Sequence, residues 1–378
     1  MTALASCVLV TTFAPGQPGF LDFSYRIKAL ATRYRLTVVS GFALEQAELR
    51  YPGVEYLVLP CGAGRLGWLR YLWRCAALIR ARRPAVAVLL HSMAAPVANV
   101  LGAIPSVTYW NEHPTHVAPA PAGAAPLRRA LRAAVRWLMF RGARRSTLVL
   151  PIGEAHRDDL LAHGCQPQRV QLQYMGVDQR FAGVALAPAA AAEVVRLVYV
   201  GSVQAERGRD VMLEAMALAH RDGVPKAHLT IVGAADEQLA YCRAAVARLG
   251  LADAVTLHGR VPGLDVPGYF ARADAGLCLW EDLPWYRFNP PTKLFEYLVA
   301  GLPVLASDIR THTEYIRDGD NGLVFDYSAA GLARAIERLW QGRAGLADMK
   351  QRARASSDAY LWPAIEPAFL HSVQKVAQ

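Results

Sequence analysis

The chain has 378 residues, room for two domains of ordinary size, and 53% of them are hydrophobic against 19% charged, which excludes a disordered or fibrous protein. Its formal net charge of +10 is unevenly held: residues 1–180 carry 21 Lys and Arg against 9 Asp and Glu, net +12, and residues 181–378 carry 20 against 22, net −2. The six cysteines (Cys7, Cys61, Cys75, Cys165, Cys242, Cys278) make no Cys-x-x-Cys pair and have no histidine at ligand spacing, so reduced core thiols are expected, not a disulfide framework or a zinc site.

The apolar start, residues 3–10, has no basic residue ahead of it and is too short to span a bilayer. It reads as a first buried strand, not as a signal peptide, and implies a cytoplasmic protein. Pro15-Gly-Gln-Pro-Gly19 follows, a loop in which Gly16 and Gly19 let backbone approach a phosphate-bearing ligand. Runs at residues 8–11, 36–39, 54–59, 86–90, 107–110 and 148–151 predict short buried strands separated by helices or loops, a doubly wound α/β domain. Gly62-Ala-Gly-Arg-Leu-Gly67 matches G-x-G-x-x-G. It lacks an acid about twenty positions on and does not follow the first strand, so a dinucleotide site is not inferred.

Residues 65–83 and 128–145 hold thirteen arginines and no acid. Trp68, Leu72, Cys75 and Ile79 recur at helical spacing in the first. In the second, Leu127, Leu131, Ala134 and Leu138 do so beside Arg128, Arg132 and Arg136. Both predict basic amphipathic helices whose charged faces suit an anionic membrane surface. Between them, Asn111-Glu-His-Pro-Thr-His116 follows a strand and gathers the only acid between Glu55 and Glu154 with two histidines. Glu112 and His113 are the candidate catalytic pair, able to orient a hydroxyl and to stabilise charge as a bond breaks.

The Ala/Pro-rich run 182–192 has linker composition. A second strand series is predicted at 197–201, 229–233, 255–258, 275–279 and 302–306. Gly201-Ser-Val-Gln-Ala-Glu-Arg-Gly208 leaves the first of these strands, with its glycines, Gly201 and Gly208, allowing close backbone approach and Arg207 able to reach phosphate. Then comes Asn289-Pro-Pro-Thr-Lys-Leu-Phe-Glu-Tyr-Leu-Val-Ala-Gly-Leu-Pro-Val-Leu-Ala-Ser-Asp308. Asn289 is a good N-cap and Pro290 fits a first turn, so a helix is expected from here to about Ala300, stopped by Gly301. Its N-terminus suits an anion and Lys293 adds a full charge there. Glu296 lies one turn beyond Thr292, roughly 6 Å at 1.5 Å per residue, a spacing that fits a ribose diol. Asp318-Gly-Asp320 spells D-x-D but sits in Asp-Gly and Asn-Gly turn chemistry, and no metal is expected.

The 289–308 segment resembles the donor-site signature of retaining, family-four-type glycosyltransferases (glycosyl transferases group 1, GT-B fold). In that family the helix carries the Glu that binds the donor ribose, which Glu296 matches. The 201–208 loop is similar to the family's Gly-Arg-x-x-x-x-Lys-Gly, with Arg207 at the Lys and Ser202 in place of the Arg. Phe288 stands where many members have a second Glu near the donor sugar. The resemblance covers residues 148–362 well and the first 147 loosely. It implies two Rossmann-like domains facing across a cleft: an acceptor domain at 1–181, a donor domain at 193–355, and a closing helix at 356–378 crossing back. It also implies transfer of a sugar, with retention of configuration, from a nucleotide-diphosphate sugar (UDP- or GDP-linked) to an acceptor hydroxyl. The acceptor would be a lipid-linked saccharide or glycolipid in bacterial surface-polysaccharide assembly, on the inner face of the cell membrane. No cofactor and no nucleic acid are expected. Two alternatives stay open: a catalytically silent partner of another transferase, and a sugar-nucleotide hydrolase.

Overall fold

Strands buried on both faces read as continuous apolar runs, because helices must cover a parallel sheet on either side. In the computed structural model, which describes every residue except 1–3, 14–19, 119–122, 124 and 187–192, such runs form two six-stranded, all-parallel sheets. The first contains β1 (Ser6–Thr11), β2 (Arg35–Ser40), β3 (Glu55–Val58), β4 (Val86–Leu90), β5 (Ser106–Trp110) and β6 (Leu148–Pro151). The second contains β7 (Val195–Val200), β8 (Ala227–Ala234), β9 (Val255–Gly259), β10 (Ala275–Cys278), β11 (Val304–Ser307) and β12 (Gly322–Phe325). Their orders, β3-β2-β1-β4-β5-β6 and β9-β8-β7-β10-β11-β12, are the same doubly wound pattern used twice.

The chain divides into two compact units, residues 1–176 with 362–378, and residues 177–361. The division falls a few residues before the expected 181, and the closing helix Trp362–Ala377 is part of the first unit. In that unit the pleat sorts the core: Cys7 and Leu9 face the helices Phe20–Ala31 and Trp362–Ala377, while Val8 and Val10 face the helix Gly64–Arg82. Arg26, fully buried, lies 3.8 Å from the Tyr109 ring centroid and 4.7 Å from that of Phe369. It pairs with Asp22 at 3.1 Å, and Asp22 in turn accepts from the Gly176 amide at 3.2 Å. One buried cation thus ties the closing helix to the place where the chain leaves the unit.

In the second unit, the helix Thr292–Ala300 is locked to the sheet by Tyr297, whose hydroxyl accepts from the Val200 amide at 3.0 Å. The ring fills the space above Gly276 in β10: a methyl group there would come within 2.5 Å of it. Two expectations need correction. The helix starts at Thr292 with Pro291 as its N-cap, not at Asn289; each residue of Asn289-Pro290-Pro291 that precedes a proline is driven out of helical backbone, so the helix waits until the prolines end. Strand β12 was not anticipated, because Gly322-Leu-Val-Phe325 is short and follows turn residues directly.

Gly276→Ala should lower unfolding free energy by about 1 to 3 kcal/mol, since it forces Tyr297 and the helix it carries to move. Gly268→Ala, where an added methyl meets nothing within 4 Å, is expected to be neutral or slightly stabilising. Chemical denaturation of both variants checks the contrast.

Candidate functional site

Open doubly wound sheets place ligands at the carboxyl edge where strand order reverses, between β7 and β10 in the second unit and between β1 and β4 in the first. At the β7/β10 edge the 201–208 loop meets the first turn of the Thr292–Ala300 helix. Gly201 has φ 134°, and a side chain on it would come within 2.9 Å of Lys293 Nζ. Gly233, at φ 110°, makes room in turn for the Gly201 carbonyl, which a methyl there would approach to 2.5 Å. Both positions require glycine for backbone conformation and for space.

Lys293 Nζ sits 3.6 Å from the Tyr199 ring centroid, is buried, and has no hydrogen-bond partner among the described residues. Burial is the main reason its pKa falls to about 8, with Arg207 adding repulsion. The other buried lysines show what a structural role looks like here: Lys226 donates to Asp222 at 2.7 Å and Lys350 to Asp274 at 2.9 Å. A cation–π contact compensates only part of what a lost carboxylate supplies. Lys293 is therefore an under-compensated ammonium, a position that favours an anion.

Arg207 ends the short 3-10 turn Ala205–Arg207, just ahead of Gly208 and the helix Arg209–Ala219. Its Nε donates to the Tyr286 hydroxyl at 3.3 Å, and Tyr286 stacks on Trp280 at 4.4 Å. Glu281 N donates to Glu206 O at 3.1 Å, so the loop after β10 braces the loop after β7. Ser202 is exposed, and its carbonyl accepts from the Tyr199 hydroxyl at 2.7 Å. Thr292 is exposed at the helix start and Asn289 half-buried in the segment before it.

Glu296, half-buried one turn beyond Thr292, has its pKa raised to about 7, first by burial, while Lys293 and Arg180 pull it down and Asp178 pushes it up. The Asp178–Arg180 pair, 2.7 Å apart, was not anticipated at this site. Of the expected donor-binding residues, the structure brings Gly201, Arg207, Lys293 and Glu296 into one electrostatic cluster, with Ser202, Asn289 and Thr292 on its rim. Gly16 and Gly19 lie outside the described residues.

At the other edge, His113 is buried and both ring nitrogens are engaged. Nδ1 caps the turn Pro114–Val117 by accepting from the Thr115 amide at 3.2 Å, and Nε2 lies 3.0 Å from Asp159. Glu112 is half-buried and pairs with His116 at 2.8 Å. Sequence reasoning missed His91, the residue following β4 at the reversal point of the first sheet. Its φ of 125° is a conformation that side chains rarely adopt. Burial holds its imidazole below the ordinary pKa, with Glu112 opposing that and His116 adding to it. The one sequence signal for it was a histidine closing a buried apolar run. Asp318 and Asp320 of the D-x-D are bound to arginines, Asp318 to Arg338 at 3.0 Å and Asp320 to Arg317 at 2.7 Å and Arg352 at 2.9 Å. No cluster of metal-ligating side chains occurs among the described residues.

Residues 194–342 match the family model for glycosyl transferases group 1, and residues 7–176 match that for the glycosyl transferase 4-like domain. The chain is 28% identical over 215 residues to the amylovoran biosynthesis glycosyltransferase AmsK of Erwinia amylovora, covering 55% of this chain and 51% of that protein. It is 28% identical over 170 residues to D-inositol 3-phosphate glycosyltransferase of Arthrobacter sp. (strain FB24), covering 44% and 39%. It thus spans about half or less of these relatives' length. Among solved structures, HepE of Anabaena in complex with UDP superposes with a TM-score of 0.76 at 16% identity, covering 98% of this chain and 100% of that one. WaaG, a glycosyltransferase involved in lipopolysaccharide biosynthesis, does so with 0.72 at 17% identity, covering 97% and 99%. At these identities the likeness is one of fold.

Lys293→Met should leave unfolding free energy unchanged or raise it by about 1 kcal/mol, because it removes a buried charge that lacks a carboxylate. Lys350→Met, which deprives Asp274 of a partner, should lower it by on the order of 3 kcal/mol. His113→Ala, which breaks a cap and a buried pair, should cost about 1 to 3 kcal/mol. Urea unfolding of the three variants at neutral pH measures all of these.

Proposed function

Since this chain belongs to the group 1 glycosyl transferases, we propose that it moves a sugar from a nucleotide-diphosphate donor to an acceptor hydroxyl, with retention of configuration and without a metal. The observation that carries the reading is the buried ammonium of Lys293, one helical turn from Glu296 at the edge where strand order reverses. A diphosphate supplies the anion that Lys293 lacks. Arg207 adds a second charge, and the helix N-terminus adds its amides. Glu296 accepts from the ribose hydroxyls. UDP in the HepE complex supports a nucleotide-sugar donor.

Chemically, these groups do most where negative charge grows. As the glycosidic bond breaks, the leaving diphosphate gains charge beside Lys293 and Arg207, which are already oriented and need not reorganise. Metal independence follows as a charge argument: protein cations do the work that a divalent ion would otherwise do. The first unit takes the acceptor, with the 111–116 loop hydrogen-bonding its hydroxyl groups. Because the His113 ring is committed to Thr115 and Asp159, it acts by holding that loop, and Glu112 with His91 and His116 presents the polar groups. A lipid-linked saccharide or glycolipid at an anionic inner membrane face is the acceptor that fits the +12 charge of residues 1–180. Relatives named for amylovoran and lipopolysaccharide biosynthesis support the surface-polysaccharide setting.

Calorimetry with nucleotide sugars tests the donor site. Glu296→Ala and Arg207→Ala should each weaken binding by about 1.5 to 3 kcal/mol while the fold persists; unchanged affinity in both would remove the assignment. Affinity should peak between about 7 and about 8, the pKa values of Glu296 and Lys293. Above this window Lys293 loses its proton and its hold on the diphosphate, and below it Glu296 gains a proton and accepts less well. A flat profile over about pH 6 to 9 contradicts that account. Turnover should survive EDTA; loss in chelator with recovery on magnesium would restore the D-x-D as a metal site. Glu112→Gln should lower turnover more than donor affinity. Donor consumption that needs no acceptor would indicate a hydrolase, and donor binding without turnover a silent partner.

A further inference from the structure

One face of the first sheet is covered by three elements: the helix Gly64–Arg82, the 3-10 segment Ser92–Val100 and the helix Pro126–Arg145. They are fastened to one another. Trp68 Nε1 donates to Met93 O at 3.2 Å, Asn99 Nδ2 donates to Leu138 O at 3.2 Å, and Gly142 packs so closely that a methyl there would reach 2.2 Å from Ala95 O. The apolar stripe Trp68, Leu72, Cys75 and Ile79 is spent on this packing, all four being buried. A second apolar set remains outside. Leu66, Leu69 and Trp73 recur at i, i+3, i+7 on the solvent side of the first helix, with Leu66 72% and Trp73 66% exposed. On the second helix Leu127, Leu131 and Trp137 are exposed, Leu127 at 72% and Trp137 at 53%. Residues 126–134 of that helix are exposed all round except for half-buried Arg132. An uncovered helix end of this length is marginal in water by itself.

Charge names the occupant. Of the thirteen arginines in these two stretches, only Arg82 pairs with a carboxylate among the described residues, with Glu55. Arg70 and Arg74 flank Trp73, and Arg128 and Arg129 adjoin Leu127, all exposed. Unpaired guanidinium groups around tryptophan and leucine match a bilayer boundary, where anionic headgroups lie over hydrocarbon and tryptophan sits at the headgroup level. No helix of the described residues is long and apolar enough to cross a membrane, so contact would be from one side.

We infer that the outer surface of the Gly64–Arg82 and Pro126–Arg145 helices is an insertion face for an anionic lipid bilayer, with Trp73 and Trp137 as its anchors. It deepens the membrane part of the proposed function, and rests on it only in treating the acceptor as lipid-borne. It also differs from simple charge attraction: part of the binding comes from buried apolar side chains and resists salt.

The test uses the full chain with vesicles of phosphatidylcholine alone or with phosphatidylglycerol, at low and high salt. Wild type should co-sediment with the anionic vesicles, keep a measurable fraction bound in high salt, and show tryptophan quenching by lipids brominated near the headgroup. The double variant Trp73→Ser with Trp137→Ser should lose about tenfold in partitioning and most of the quenching. Leu264→Ser, at an exposed apolar residue of the second unit, should change neither. Absence of binding to anionic vesicles, or binding that the double variant leaves unchanged, overturns the inference. So does self-association of the wild type that the double variant abolishes, which would make the occupant a second copy. Nucleotide-sugar affinity, measured in parallel, should be the same in wild type and double variant; if vesicle binding fails while it persists, the transferase reading stands and the membrane face falls.

Discussion

The constraint on which the proposed donor site depends is the presence of a buried ammonium group that no carboxylate hydrogen-bonds among the described residues, Glu296 acting on it only from a distance. Lys293 is brought there by Tyr297, which bolts its helix to β7 and fills the space above Gly276. It is given room by Gly201 at positive φ, and Gly201 is given room by Gly233. Each of these residues costs the fold something: two glycines in conformations that favour nothing else, and a charge removed from water. Such costs persist in a native state where the ligand repays them. The paired Lys226 and Lys350 in the same unit show that a buried lysine here can be met by a carboxylate, whereas Lys293 has no hydrogen-bond partner among the described residues.

The same topological feature occurs twice with different chemistry. Both sheets reverse strand order between their first and fourth strands, and both set an unusual residue at that edge. In the second unit it is Gly201, whose missing side chain admits Lys293. In the first it is His91, a non-glycine residue held at φ 125° with Glu112 and His116 acting on its charge. A cationic edge suits a diphosphate, and an edge of histidines with a carboxylate suits hydroxyl groups and their protons. That division fits a donor unit and an acceptor unit.

Much of this was legible in the sequence, for identifiable reasons. Eleven of the strands were anticipated because parallel strands leave apolar runs, continuous where both faces are buried and still readable in the half-buried edge strands β3 and β9. β12 was hidden because a four-residue strand after Asp-Gly-Asp-Asn reads as part of its turn. Glu296, Lys293 and Arg207 were singled out because the residues before and after them spell a helix start and a glycine loop. The start itself was misplaced, since Asn289 offered a better cap than Pro291 but two prolines in a row would not let it serve. His113 was singled out for its residue type, and only the folded chain shows that Thr115 and Asp159 already hold its ring. Periodicity identified both arginine-rich helices but could not say which side faced the sheet. In Gly64–Arg82 the marked stripe packs inward and a second one faces out. In Pro126–Arg145 the marked stripe itself begins in solvent, because the helix makes its core contacts through Met139, Phe140 and Ala143 near its end.

The central claim is that Lys293 is an ammonium awaiting an anion, and its proton affinity measures this directly. The chain has five lysines, Lys28, Lys226, Lys293, Lys350 and Lys375, few enough for each side-chain signal to be followed by NMR in lysine-labelled protein with Lys293→Met to assign it. Titration of the free protein should give Lys293 a pKa of about 8. Saturating nucleoside diphosphate should carry it upward, toward or beyond the ordinary lysine value. A Lys293 signal that titrates at the ordinary 10.5 in the free protein, and does not move when the diphosphate is added, would contradict the account.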